Sequence, residues 1–430
     1  MTSGAHLARR LGTTDAVVIG LGSMVGAGIF AVFAPAAAIA GPWLLVGLAL
    51  AAVVAFCNAT SSAQLAAQYP RSGGSYLYGR ERLGAWPGFL AGWSFVIGKT
   101  ASCAAMALTF AAYAAPAGWE KPVAVVAVLG LAAVNYVGVT RTAVLTRVIV
   151  TVVLTVLALV IIAGLVASGS REPFLGSGAA TGDWYGTLQS AGLLFFAFAG
   201  YARIATMGEE VKNPRRTIPR AILLALSITL GLYLLIALTL LHTLGADRLA
   251  ASTAPLTDVV QAAGWTWAAP IVTIGAALAS LGALLALIAG VGRTSLAMAR
   301  HRDLPAWLAA VHPRYAVPHH AEIALAVVVS ILVITVDLRG AIGFSSFGVL
   351  LYYVVANVAA FTQTPPDRRY PRLVQITGAV LCLVLVVTLP PSAIVGGLAV
   401  LALGVGYRLV RLARERRMPP PTSPRKGPTP

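Results

Sequence analysis

The sequence predicts an all-α membrane protein of twelve transmembrane helices, and three observations predict it. Of its 430 residues, 58% are hydrophobic and 10% are charged, whereas soluble domains carry about a quarter charged residues. Apolar runs of about 20 residues, the length needed to cross a hydrocarbon core, recur along most of the chain. Lysine and arginine then gather in alternate connections between those runs.

The expected spans lie near 14–40, 42–65, 84–115, 122–138, 143–167, 184–207, 218–242, 267–299, 321–337, 341–362, 370–389 and 391–412. The first is too long for the apolar stretch of a signal peptide, although Arg9 and Arg10 precede it, so it is read as a mature span. The third and eighth are long enough to tilt strongly. Pro214 ends the sixth, and Thr217 followed by Pro219 reads as a start for the seventh. After Arg417 the tail MPPPTSPRKGPTP is proline-rich and lacks an apolar pattern, which predicts disorder.

Charge gives the orientation. With the N-terminus inside, cytoplasmic segments receive 25 of the Lys and Arg residues, and the outer connections hold 4 (Lys121, Arg171, Arg248 and Arg339). This bias places both termini in the cytoplasm of a cell (inner) membrane protein. The formal charge of +17 is therefore a topology signal. Nucleic-acid binding would need a soluble basic domain, and none is present.

Chemistry of other kinds finds little support. Cys57, Cys103 and Cys382 lie in apolar runs without paired spacing, and read as small buried hydrophobes. The six histidines show no ligand spacing, so neither a metal nor a cofactor is expected. An intramembrane enzyme would need clustered His, Asp or Glu within spans, and only isolated charges occur. A channel would want a polar ring or filter, and none is visible.

Two spans carry a weakness at mid-membrane. IGLGSMVGAGIF (19–30) holds Gly20, Gly22, Gly26 and Gly28, each costing a helix about 1 kcal/mol relative to alanine. FFAFAGYARIATMGEE (195–210), five spans later, has Gly200 and Tyr201 at its centre with Arg203 beyond. A pair at corresponding positions points to an inverted-repeat transporter, in which opened helix ends present backbone N–H and C=O groups to a ligand. Half-helix N-termini favour a carboxylate and C-termini an ammonium. The alternative is close packing, and Gly22-x-x-x-Gly26 matches the small-residue packing motif.

GSMVGAGIF, YPRSGGSYLYGRERLG, EEVKNPRRTIPRAI, LAASTAPLTDVV and AMARHRDLPAWLAAVHPRYAVPHHAE together resemble the amino acid–polyamine–organocation (APC) transporter superfamily, over about residues 14–362. The resemblance implies a LeuT-type fold with two inverted five-span repeats, 14–167 and 184–362. They are flanked by a cytoplasmic N-terminus (1–13), two C-terminal spans (370–412) and a disordered tail (413–430). It also implies a secondary active amino-acid transporter, without enzymatic activity, that works by alternating access between unwound spans one and six.

Carried over residue by residue, the substrate carboxylate would meet the N–H groups of Ala27 and Gly28, with Ser23 and Gly26 alongside. The ammonium would meet the carbonyls of Met24, Phe196 and Ala199, next to Gly200. Phe198, Tyr201 and Arg203 would line the side-chain pocket. A polyamine or organic amine substrate stays open, because a backbone subsite leaves no side-chain signature.

Departures from the family pattern matter. Many relatives have an acid two residues after the span-six glycine, where this chain has Ala202, which favours neutral amino acids. Arg203 can instead snorkel or pair with Glu209 or Glu210. The span-five lysine of proton-coupled members is replaced by Val153, while Lys99 lies in span three, where an intramembrane cation is a functional candidate by default. Lys99 is proposed to titrate near the sodium-equivalent site, and a fixed structural cation is the rival. Ser280 keeps one hydroxyl of that site and Ala279 lacks the second, which favours proton coupling or exchange over sodium. Glu209, Glu210, Lys212, Arg215 and Arg216, with Asp15 and Arg71 as partners, form a candidate inner gate, against plain interfacial charges.

Overall fold

The computed structural model describes residues 11–71, 73–138, 143–167, 183–208 and 210–417. Of the tail 413–430 expected to be disordered, residues 413–417 instead continue the last helix, and residues 418–430 lie outside the described ones, as do Glu209 and the basic residues Arg9, Arg10, Arg141 and Arg171. The described residues are helical with no strands, and nine helical stretches among them are long and apolar enough to cross a membrane. His319–Thr335 and Arg372–Thr388 are shorter apolar helices, and Glu120–Tyr136 has 17 residues.

In chain order, the helices are α1 (Thr13–Met24), α2 (Ala27–Ala31), α3 (Phe33–Ala40), α4 (Leu44–Gln68), α5 (Gly74–Leu83) and α6 (Ala85–Ala114). Then come α7 (Glu120–Tyr136), α8 (Ala143–Val166), α9 (Trp184–Phe198), α10 (Ala202–Ala205), α11 (Pro214–Ala251) and α12 (Pro255–Ala262). The last are α13 (Ala269–Arg300), α14 (His319–Thr335), α15 (Leu338–Phe361), α16 (Arg372–Thr388) and α17 (Pro391–Arg417).

One start position differs from expectation. Helix α11 begins at Pro214, with the proline in its first turn, so the residue expected to stop span six instead opens span seven. A proline there loses no hydrogen bond, because the first N–H groups of a helix have no intrahelical acceptor. Helices α5 and α12 occupy stretches read from sequence as connections, since both are short and neither spans.

The interior is rich in alanine, with Ala55, Ala59, Ala63, Ala104 and Ala107 fully buried. Small residues let helices approach closely where lipid offers no hydrophobic drive to associate them. Large apolar residues such as Leu165, Leu373 and Leu403 are exposed and face the lipid. Trp86, Trp119, Trp184 and Trp267 are exposed at or near helix starts, as expected of interfacial anchors.

Packing follows a regular scheme. Helix α4 lies against α9 and α11 against α1, while α6 packs on α15 and α13 on α8. Helix α6 also meets α14 as α13 meets α7, and α9 meets α15 as α1 meets α8. The broken first span therefore runs through the centre, enclosed by α6, α8, α9, α11 and α13.

Candidate functional site

The first span breaks where its glycines predicted. Val25 N–H still donates to the Leu21 carbonyl at 2.7 Å, but Gly26 sits at φ −70°, ψ −139° and the helix restarts at Ala27. No side chain caps the restarted helix. It continues through Val32, whose N–H donates to the Gly28 carbonyl at 3.1 Å, into α3. The positive end of that longer helical run thus points at the break.

The sixth span behaves differently. After Phe198 the chain tightens into a 3₁₀ turn over Ala199–Tyr201 and resumes as α10. Phe198, Ala199 and Tyr201 all keep right-handed helical dihedrals. The unwinding expected of both spans is therefore a break in one and a tightened turn in the other. Each residue of the turn bonds three back instead of four, which redirects carbonyls without opening the helix.

The glycines serve packing as well as the break. A Cβ on Gly28 would come within 2.8 Å of the Ala197 backbone, and one on Gly200 would collide with the Ser23 carbonyl. The two spans therefore cross in contact on either side of the break. Gly22 and Gly26 face different neighbours, Val150 of α8 and Ala283 of α13, so they do not form one shared packing groove.

Several carbonyls expected to hold an ammonium already have partners. Tyr233 of α11, fully buried, places its hydroxyl 2.6 Å from the Met24 carbonyl and 3.0 Å from that of Ala197. Its single proton bridges the end of α1 to span six. Lys99 of α6 donates to the Ala199 carbonyl at 3.4 Å. Tyr233 escaped the sequence reading, although a tyrosine within the apolar run LGLYLLIAL must find a polar partner for its hydroxyl when buried.

Other expected residues lie elsewhere. Phe198 packs edge-on against Tyr233, with ring centres 5.0 Å apart, and Tyr201 stacks on Tyr353 of α15 at 5.2 Å. Both are fully buried, so they support the turn from behind. Phe196 is also buried. Ser23 donates to the Ile19 carbonyl of its own helix. Arg203 is half-buried and donates to Thr206 Oγ1 at 3.4 Å, with no ion pair to Glu210.

A cavity of about 10 Å³ lies between Gly22, Val25 and Gly26 of the break, Val150 and Val153 of α8, and Ala279 of α13. It has room for about one water. Its side chains offer no oxygen, and Ser280 is buried outside its lining with an unpartnered hydroxyl. A hard cation takes oxygen ligands, and here these would have to come from backbone carbonyls such as those of Gly22 and Ala279, which lie beside Gly26. Lys99 contacts the span-six turn and does not line this cavity, near which the family resemblance expects it.

The expected gate partners also rearrange. Arg71 pairs with Glu81 at 2.6 Å within its own connection, and Asp15 pairs with Arg147 of α8. Arg147 is half-exposed, so that pair is worth about 1 kcal/mol or less. Glu210 contributes through its backbone: Leu11 N–H donates to its carbonyl at 3.1 Å, and Lys212 N–H donates to the Leu11 carbonyl at 2.9 Å. The segment before α1 is thereby stitched to the connection after span six.

The amino acid permease family profile matches residues 11–403. An uncharacterized transporter of Mycobacterium tuberculosis is 57% identical over 413 residues, covering 96% of this chain and 93% of its own. The branched-chain amino acid permease BcaP of Bacillus subtilis is 27% identical, covering 94% of this chain and 93% of its own. Cationic amino acid transporter 7 of Arabidopsis thaliana is 28% identical over 84% of this chain and 66% of its own.

Proposed function

The chain belongs to the amino acid permease family of the APC superfamily, and on that footing we propose that it is a secondary active carrier for neutral amino acids working by alternating access. That it is a multi-pass membrane transporter of amino acids, and not an enzyme, comes with the family. The observation that carries the finer reading is the break at Val25–Gly26, buried against the Ala199–Tyr201 turn and reached by Lys99.

The substrate carboxylate would sit on the N–H groups of Ala27 and Gly28, at the positive end of the run into α3. Its ammonium would be drawn to carbonyls at the end of α1 and in the span-six turn, above all Ala199. Lys99 holds that carbonyl when substrate is absent. Two cations compete for one acceptor there, so arrival of an ammonium displaces the lysine amine and favours its neutral form. That exchange is a route to proton coupling. No side chain lining the cavity beside Val153 and Ala279 carries an oxygen, which favours protons over sodium, and Ala202 offers no acid for a cationic side chain.

An inverted five-span repeat fits the packing. Advancing every span by five converts the α4–α9 contact into α11–α1, α6–α15 into α13–α8, and α6–α14 into α13–α7. With 14–167 and 184–362 as the repeats, α16 and α17 stand outside as spans eleven and twelve. We place both termini in the cytoplasm on the arginine bias, and the Leu11–Val211 stitch then lies at the inner end of the pathway.

Purified protein in liposomes should show saturable counterflow of a neutral amino acid, with uptake enhanced by an inward proton gradient. Unsaturable flux at channel rates would overturn the carrier reading.

A further inference from the structure

We infer that the arginine cluster around Asp303 binds a phosphate oxyanion, supplied by an anionic lipid headgroup. Asp303 follows α13 and is almost wholly buried. Its carboxylate accepts from Tyr76 Oη at 2.9 Å and from Arg80 at 2.8 Å, both on α5. It also pairs with Arg408 of α17, and Arg411 lies 4.0 Å away. Burial and this carboxylate push the Tyr76 phenol well above its usual range, so it remains a hydrogen-bond donor.

The charges do not balance. Three guanidinium groups share one carboxylate, a surplus of two positive charges in a partly buried site. The neighbouring acids are engaged elsewhere, Glu81 with Arg71 and Glu415 with Arg302. Nor are the donors satisfied. Among the described residues, the Nε of Arg408, whose side chain is only 4% exposed, and the Nε and Nη1 of Arg411 make no hydrogen bond, although all are shielded from solvent. An unmet buried donor costs free energy, and more so on a charged group. A protein does not ordinarily bury surplus guanidinium groups without an anion to meet them.

The site's position identifies the anion. Arg408 stacks over Trp86 and Phe89, 4.8 and 4.6 Å from their ring centres, and donates to the Ala85 carbonyl. Trp86 is exposed near the start of α6, at the level of an interfacial aromatic. Arg80 and Arg411 keep 30% and 18% of their side chains accessible, which leaves the cluster open on one side. A phosphate presents several acceptor oxygens in the geometry that guanidinium forks match. At a membrane interface the abundant phosphate is a headgroup, and basic pockets between helices hold such groups. Bound there, it would fasten α5 and α17 to the segment after α13.

The test is a thermal-stability titration of the full-length protein in neutral detergent with phosphatidylglycerol, phosphatidylcholine or inorganic phosphate. Phosphatidylglycerol should raise the melting temperature saturably and phosphatidylcholine should not. The rise should fall to about half or less in Arg411→Gln, as expected when ligand affinity drops, and should persist in Arg314→Gln. Arg80→Gln provides a second probe on another helix. Inorganic phosphate giving the same Arg411-dependent rise would support the oxyanion site and make free phosphate its source. Equal effects of the two lipids, or a phosphatidylglycerol effect unchanged in both Arg411→Gln and Arg80→Gln, would overturn it.

Discussion

Replacing Gly26 with leucine is expected to lower transport by about 100-fold, the scale of loss when a binding geometry shifts by about an ångström. A Cβ at this position would stand 2.9 Å from Ala283 Cβ of α13 and 3.5 Å from the Gly22 carbonyl. The remaining leucine carbons have nowhere to go without moving α13 or closing the break. Either change displaces the N–H groups of Ala27 and Gly28 from the span-six turn. Membrane insertion should survive, because leucine makes the span more apolar. Gly130→Leu is the control: nothing lies within 4 Å of a Cβ there, so transport should be unaffected. Normal transport by Gly26→Leu would mean that the break is a packing feature alone.

Lys99→Met should produce the second large effect, loss of the response to a proton gradient together with most of the flux. Among the described residues, the amine's hydrogen-bond partner is the Ala199 carbonyl. Removing it leaves that carbonyl free for a substrate ammonium but leaves no group to exchange a proton. Counterflow, which needs no net driving force, should therefore suffer less than gradient-driven uptake. Lys99→Arg separates titration from fixed charge, because a guanidinium keeps its proton at any relevant pH. If Lys99→Arg retains a normal pH response, the residue is a structural cation. If Lys99→Met also retains it, coupling lies elsewhere.

Much of this architecture is legible in the sequence because lipid imposes strong rules. Every spanning segment must satisfy its own backbone, so apolar runs read as helices, and glycines in mid-span stand out as exceptions. The break at Val25–Gly26 was legible for that reason. The tightened turn at Ala199–Tyr201 was not, since one glycine between alanine and tyrosine is compatible with either geometry. Side-chain partners were least legible. Arg147 rather than Lys212, Arg215 or Arg216 meets Asp15, Glu81 rather than Glu209 or Glu210 meets Arg71, and Tyr233 claims the Met24 carbonyl expected to be free together with that of Ala197. Such pairings depend on how helices distant in sequence rotate against one another, which no local pattern encodes. Tyr201 shows the same effect: its place in the motif suggested a pocket, but helix rotation aims its ring at Tyr353.

The carboxylate site at the break is tested most directly by competition. Counterflow of the best amino-acid substrate should be measured in liposomes against excess unlabelled substrate and against the amine formed by removing its carboxyl group. With Ala27 and Gly28 holding the carboxylate, the amino acid should compete fully and the decarboxylated amine should compete weakly or not at all. An amine competing as well as the amino acid would contradict a carboxylate site at the break and favour an organic-amine carrier.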